Sequence, residues 1–225
     1  LMGAFATEAG VSGDMYRLAY ALIGHFRGGL AMATIGGCAG FGAICGSSIA
    51  TTATMAKIAL PEMLQRNYLR TLASGSIAAG GTLGMLVPPS VVMIVYGILT
   101  EESVLALFAA AIFPGIIATV LYCFTIAIYV RLRPESGPAG ERVPWREKLD
   151  VLIKSWRFLL IAVVVSGGIY TGIFTITEAA SVGASLAFIF AIFNGMNMRS
   201  FLDCLTTTAS NTGMIFVIIM GASIF

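Results

Sequence analysis

Five hydroxyl side chains, Ser47, Ser48, Thr51, Thr52 and Thr54, fall in one otherwise apolar stretch, GAICGSSIATTATMAKIALPEM, residues 42–63. Two kinds of chemistry suit them. A serine becomes a nucleophile when a base lies within hydrogen-bond reach. The only histidine is His25, and Lys57 lies about two helical turns beyond Ser48, so neither is placed to activate a tip serine. The second chemistry needs no base. Hydroxyls and turn carbonyls are hard oxygen ligands for a small cation such as Na⁺, and helix N-termini attract carboxylates.

A second stretch, AAGGTLGMLVPPSVVMIVYG, sets Gly80, Gly81 and Gly84 before Pro88-Pro89-Ser90. Proline lacks an N–H, clashes with the preceding helical turn and pushes its predecessor into an extended conformation. Two in succession predict a helix split near Gly84–Pro89. A break exposes carbonyls at the end of the first half and N–H groups at the start of the second, ligands for a cation and an anion respectively. Ser90 adds a hydroxyl able to serve either.

The elements that position these residues are membrane helices. Of 225 residues 58% are hydrophobic and 11% charged, with a mean hydropathy of +0.93; a soluble domain carries about a quarter charged residues. Apolar runs at 69–99, 105–130, 158–173, 178–194 and 206–225 are helix-like rather than alternating. Net charge is +2, which suggests no nucleic-acid partner. The four cysteines, Cys38, Cys45, Cys123 and Cys204, show no metal or disulfide spacing and read as small buried hydrophobes. The chain starts and stops inside apolar runs, so it reads as a piece of a longer membrane protein.

Arginine and lysine set the orientation. Arg131, Arg133, Arg142, Arg146, Lys148, Lys154 and Arg157 crowd residues 131–157, which also hold three prolines; that loop is expected in the cytoplasm. Alternation then puts Glu101-Glu102 and the turn at 174–177 outside, and Arg66, Arg70 and Arg199 inside. Arg17 and Arg27 mark residues 12–28 as cytoplasmic, where Ser12 is expected to cap an amphipathic interfacial helix with Met15, Leu18, Ala19, Leu22, Ile23 and Phe26 on one face. Residues 28 and 62 therefore share a side. Two spans need about 40 residues and only about 34 are available, so the segment is expected to be a re-entrant hairpin with its tip at Cys45–Ser48. Such a tip survives at membrane depth only when buried in protein or facing a watery cavity. Glu8 and Asp14 read as interfacial, Lys57, near the hairpin's cytoplasmic end, as snorkelling, and Thr177 as the cap of a helix with Glu178 in its first turn.

The stretches AICGSSIATTATMAKIALPEM, ASGSIAAGGTLGMLVPPSVVMIVYGILTEESV and GIFTITEAASVGA, with GHFRGGLAMA before them, resemble the large membrane subunit of tripartite ATP-independent periplasmic (TRAP) transporters, C4-dicarboxylate type. Ile176 stands where that family usually has proline. The resemblance implies an all-α integral membrane protein of the elevator type, the first of two inverted repeats with the second cut short. Its divisions would be 1–28 (the end of a helix and an interfacial arm), 29–61 (the re-entrant hairpin), 62–130 (the broken helix and a span), 131–157 (a cytoplasmic linker) and 158–225 (three spans). It also implies Na⁺-coupled uptake of organic acids in the bacterial inner membrane, with a small membrane subunit and a periplasmic substrate-binding protein as partners. Gly46, Ser47, Ser48, Gly84 and Pro88 would hold Na⁺, partly through carbonyls; Ser47, Ser48, Thr52, Pro89 and Ser90 would face the substrate. The rival readings are a hairpin-type divalent-anion/Na⁺ symporter without a binding protein, an intramembrane serine protease, and a non-transporting assembly subunit.

The topology is testable in the full-length protein. Single cysteines at Ser136 and Gln65 should label from the cytoplasm and one at Glu102 from the periplasm; periplasmic labelling at Gln65 would abolish the re-entrant segment.

Overall fold

The computed structural model describes residues 1–140 and 144–222, with only the backbone of Trp145 and Ala222. Arg142 of the basic loop lies outside the described residues. The regular structure described is helical throughout: α1 (Met2–Glu8), α2 (Val11–Ile23), α3 (Gly29–Cys45), α4 (Ser48–Gln65), α5 (Arg70–Leu86), α6 (Val91–Thr100), α7 (Val104–Leu132), α8 (Trp145–Lys154), α9 (Trp156–Ala162), α10 (Gly168–Tyr170), α11 (Ile176–Phe193) and α12 (Met198–Ala222). A π turn, Val163–Gly167, joins α9 to α10.

Among the described residues α7, α11 and α12 are long and apolar enough to cross a membrane, and α5 with α6 makes a fourth, bent by 42° at the intervening break. The large apolar side chains Phe113, Val120 and Phe124 on α7 and Phe216 and Val217 on α12 are exposed, as expected of faces that meet lipid or further protein. The structure thus establishes an all-helical, multi-span architecture.

Residues 29–65 form a helical hairpin. Its first arm, α3, is apolar on every face and buried along most of its length, the pattern of a helix enclosed by others. The arm ends where Gly46 turns into the left-handed region at φ +64°, and Ser47 leaves it in an extended conformation to start α4. The second arm is more polar and runs four residues past the expected end at 61, to Gln65, carrying Pro61 inside the helix.

Both arms pack on α5. Between helices in lipid, close van der Waals packing replaces the hydrophobic drive, and small residues permit it. A methyl group placed on Gly42 would come within 2.6 Å of the Gly84 Cα, so α3 and α5 cross backbone to backbone. The hairpin also divides two cores. Leu30, Ile35, Met63, Leu72, Leu83 and Val130 pack α3, α4, α5 and α7 together with Tyr16 of α2. Phe41, Ile44 and Met55 point into the other core, with Phe5 of α1, Ile161 of α9 and Ala187 of α11; there Phe5, Phe188 and Phe201 form an aromatic cluster.

The segment after α7 is laced to the base of the hairpin. The Gly28 N–H donates to the Gly137 carbonyl, Leu69 N–H to Ser136, and Gly140 N–H to Gly24. The Tyr68 hydroxyl accepts from the Leu30 N–H at 3.2 Å and donates to the Pro138 carbonyl at 2.9 Å. The remainder of this linker holds α8, a helix not anticipated there, which packs against α2.

Two caps differ from expectation. Helix α2 starts at Val11 behind a left-handed Gly10, with Ser12 buried in its first turn; glycine reaches φ +77° without strain, so the cap lies two residues earlier. Helix α11 is capped by Thr175, not Thr177. Glu178 N–H donates to the Thr175 hydroxyl while the Glu178 carboxylate accepts from the Thr175 N–H, a reciprocal capping box. Ile176 then occupies the first helical position, where a proline loses nothing. Helix α12 begins at Met198, before the apolar run at 206. Asp14 on α2 is half-buried beside Arg157 of α9, at 3.9 Å; burial raises its carboxyl above the usual carboxylate range and the Arg157 charge opposes that rise.

The crossing makes a contrast in stability. Gly84→Val should destabilise by about 1–3 kcal/mol through overpacking. Gly75→Ala, with nothing within 4 Å of the new methyl, should be neutral or stabilise by up to about 1 kcal/mol. Thermal unfolding of the full-length variants in detergent measures both; equal shifts would refute the packing account.

Candidate functional site

The hairpin tip and the break in α5–α6 meet. The Val91 N–H, first of α6, donates to the Gly46 carbonyl at 3.2 Å. A methyl on Gly46 would lie 2.8 Å from the Pro89 carbonyl oxygen, so only glycine allows both the turn and the approach. The junction brings two helix C-termini, α3 and α5, beside two N-termini, α4 and α6.

Why each backbone group is free follows from the sequence. In an unbroken helix the Gly84 carbonyl would accept from residue 88 and the Met85 carbonyl from residue 89. Both positions are proline and have no N–H. Ser90 repairs one of these losses: its hydroxyl, 1% exposed, donates to the Met85 carbonyl at 2.6 Å. The Gly84 carbonyl has no such replacement among the described residues. At the N-termini, Ala50 N–H reaches the Ser47 hydroxyl at 3.4 Å and Thr51 N–H the Ser47 carbonyl at 3.0 Å. The Ser48 and Ile49 N–H groups of α4 and the Val92 and Met93 N–H groups of α6 have no partner among the described residues, and the starts of both helices adjoin the Gly46 turn, so two positive helix ends lie near one another.

The other polar groups fall into place around this. Thr51 lies one turn beyond Ser47 on the same face, fully buried; its hydroxyl faces the Cys45 thiol, a weak partner, and among the described residues has no oxygen or nitrogen partner. A methyl on Gly84 would come within 2.5 Å of that oxygen and 2.8 Å of the Ser47 carbonyl, so hydroxyl, carbonyl and the uncapped end of α5 adjoin. Thr52 is turned towards Gly81 of α5, and its hydroxyl donates to the Ser48 carbonyl at 2.8 Å. Pro88 lines a cavity of about 400 Å³ with Gly40, Ala43 and Tyr170; what it contributes to the junction is a missing N–H. Among the described residues no three His, Cys, Asp or Glu side chains gather as a metal site. A cation at the junction would be held by neutral oxygens, which suits a monovalent ion.

The structure therefore brings together Gly46, Ser47, Gly84, Pro89 and Ser90, places Ser48 at the start of α4, and gives the hydroxyls of Thr52 and Ser90 to backbone carbonyls. Thr51 was missed by sequence reasoning as a site residue, although its spacing of four from Ser47 puts it under that residue on a helix. A nucleophile reading gains nothing from the geometry. His25 lies beyond the end of α2 against Phe26, and α3, about 25 Å long at 17 residues, separates it from the tip.

The family model for the "tripartite ATP-independent periplasmic transporter, DctM component" matches residues 1–225. The chain is 40% identical over its whole length to the C4-dicarboxylate TRAP transporter large permease protein DctM of Pseudomonas aeruginosa, covering 53% of that protein. It is 40% identical to the protein of the same name from Vibrio cholerae, over 90% of this chain and 44% of the relative. It is 34% identical over 99% of its length to the isethionate TRAP transporter permease protein DctMQ of Oleidesulfovibrio alaskensis, covering 35% of it. The chain spans about half the length, or less, of these relatives.

The unpartnered hydroxyl yields a stability prediction. In Na⁺-free buffer Thr51→Val should be neutral or stabilising by about 1–3 kcal/mol, since it replaces an unsatisfied buried hydroxyl with a methyl of the same shape. Chemical unfolding of the full-length permease checks this; a clear destabilisation would mean that the hydroxyl already has a partner.

Proposed function

The chain belongs to the DctM component family of tripartite ATP-independent periplasmic transporters, whose members are permease subunits and not enzymes, and we propose that it supplies the first half of a Na⁺-coupled organic-anion uptake site. The observation that carries this reading is the Gly46–Val91 hydrogen bond, which joins the hairpin tip to the broken helix. Crossed half-helices of this kind present carbonyls and positive helix ends together, the arrangement by which secondary transporters bind a cation and an anion side by side.

In this reading the Thr51 hydroxyl, the Ser47 and Gly46 region and the carbonyls freed at Gly84 and beyond bind Na⁺. The free N–H groups at the starts of α4 and α6, with the Ser47 and Ser48 hydroxyls, bind an anionic head. Ser90 and Thr52 serve as structural caps that leave those groups exposed. Ile49, Met85 and Val92 around the junction are exposed, which leaves room for the counterpart of a second repeat to complete the site.

The substrate we propose is an organic acid of the C4-dicarboxylate kind. The named substrates of the relatives, a C4-dicarboxylate and isethionate, are both small anions, and a pair of helix N-termini suits either. A soluble periplasmic protein would deliver the acid, a small membrane subunit would accompany the permease, and the complex would lie in the bacterial inner membrane with residues 131–157 in the cytoplasm.

Uptake by the full-length permease with its small subunit and binding protein, reconstituted in proteoliposomes and titrated with Na⁺, tests the assignment. Losing a hydrogen-bonding group to an ion is worth about 1.5–3 kcal/mol, or about ten- to a hundredfold in affinity. Ser47→Ala and Thr51→Val should each raise the Na⁺ half-saturation by about that factor. Substrate affinity should fall at low Na⁺ and recover at high Na⁺, as linkage requires. An unchanged half-saturation in the double variant would refute the hydroxyl-dependent ion site.

A further inference from the structure

We propose that the groove between the first turns of α5 and the last turns of α7 binds an anionic diacyl phospholipid. One acyl chain would lie in the groove, with the phosphate at Arg70, Arg131 and Arg133. The inference rests on the multi-span, cytoplasm-facing orientation of the proposed function and is independent of the ion and substrate site.

Three observations lead there. The groove is a real space of about 280 Å³ with a floor of Ile35, Leu72 and Ile126 and with Tyr122 and Tyr129 on the α7 side. Gly75 of α5 lines it at an open position, where a methyl group would meet nothing within 4 Å. Its end is cationic: the Leu69 N–H donates to the Ser136 carbonyl at 3.0 Å, which ties the start of α5 to the turn after α7. Arg70 is thereby drawn to the same junction as Arg131 and Arg133. All three are exposed, and none is ion-paired among the described residues, where the salt bridges are Arg66–Glu62 and Arg157–Asp14. Glu135 is the one carboxylate in the turn between them, which leaves the cluster net positive.

These features together select the occupant. A basic cluster between membrane helices on the cytoplasmic side recruits acidic headgroups, and Tyr129, within about one turn of Arg131 and Arg133, suits the membrane interface. A protein helix, 10–12 Å across with its side chains, would seat less than about one turn in such a volume, whereas an acyl chain runs along it. An apolar partner surface would also leave three arginines uncompensated.

Native mass spectrometry of the delipidated full-length permease, without Na⁺ or substrate, tests this. The probes are phosphatidylglycerol, phosphatidylcholine with the same chains, and glycerophosphate. The wild type should bind phosphatidylglycerol more tightly than phosphatidylcholine. Arg70→Gln/Arg133→Gln should weaken phosphatidylglycerol binding roughly tenfold, towards the level of phosphatidylcholine. Gly75→Leu, which fills the groove from an open position, should weaken the binding of both lipids. The proposal is overturned by any one of three results: equal binding of the two lipids by the wild type, no effect of Gly75→Leu, or displacement of phosphatidylglycerol by glycerophosphate at equal concentration, which would make the site a bare anion site. Because no arm measures uptake, failure here leaves the transport reading standing, and the converse holds too.

Discussion

The Gly46 carbonyl accepting from the Val91 N–H is the contact on which the rest of the structure depends. A turn between two helices and a break within a third are each unfavourable in an apolar medium, because both expose backbone groups with no water to receive them. Set against one another they satisfy part of that need mutually. What remains unsatisfied is concentrated in one place and is of both signs. Glycines make the contact possible. At Gly46 the chain needs a left-handed turn and the Pro89 carbonyl leaves no room for a side chain, and at Gly42 and Gly84 two helix backbones touch.

The division of labour among hydroxyls follows from which carbonyl each can reach. Proline at 88 and 89 removes two successive helix donors, and Ser90 returns one of them to Met85. Had a similar group served Gly84, the break would be a satisfied kink with little left to bind a ligand. Thr51 is the counterpart on the hairpin, a buried hydroxyl beside the end of α5 with only the weakly bonding Cys45 thiol and no oxygen or nitrogen partner among the described residues. Leaving such a group unpaired costs free energy, and a protein tolerates that cost most readily where a ligand repays it.

Beneath the junction, the segment after α7 holds the base of the hairpin and the α4–α5 turn through backbone hydrogen bonds and Tyr68. Tip and base are thus secured at opposite ends of the same two arms. The second core, built on Phe5, Ile161 and Ala187, meets the hairpin along Phe41, Ile44 and Met55. The hairpin is therefore the common wall of two packed cores.

Sequence alone determined the class and most of the plan. Hydropathy fixes membrane helices, paired prolines fix a break, and a polar knot in a segment too short for two spans reads as a hairpin turn at Gly46-Ser47. These are legible because each depends on local chemistry: a missing N–H, a residue able to adopt positive φ, an apolar run of a given length. The caps of α2 and α11 each lie two positions before the residue expected, since Gly10 and Thr175 compete with Ser12 and Thr177 for the same role and only the formed turn decides between them. The amphipathic α8 was hidden in a loop read by its prolines and charges. What only the tertiary structure decided was pairing. The sequence contains six hydroxyls in the hairpin and one after the prolines, all chemically able to bind a ligand; Thr52 and Ser90 give theirs to carbonyls four and five residues back on their own segments, whereas the burial of the Thr51 hydroxyl against the end of α5 depends on helices from different parts of the chain crossing at Gly42 and Gly84.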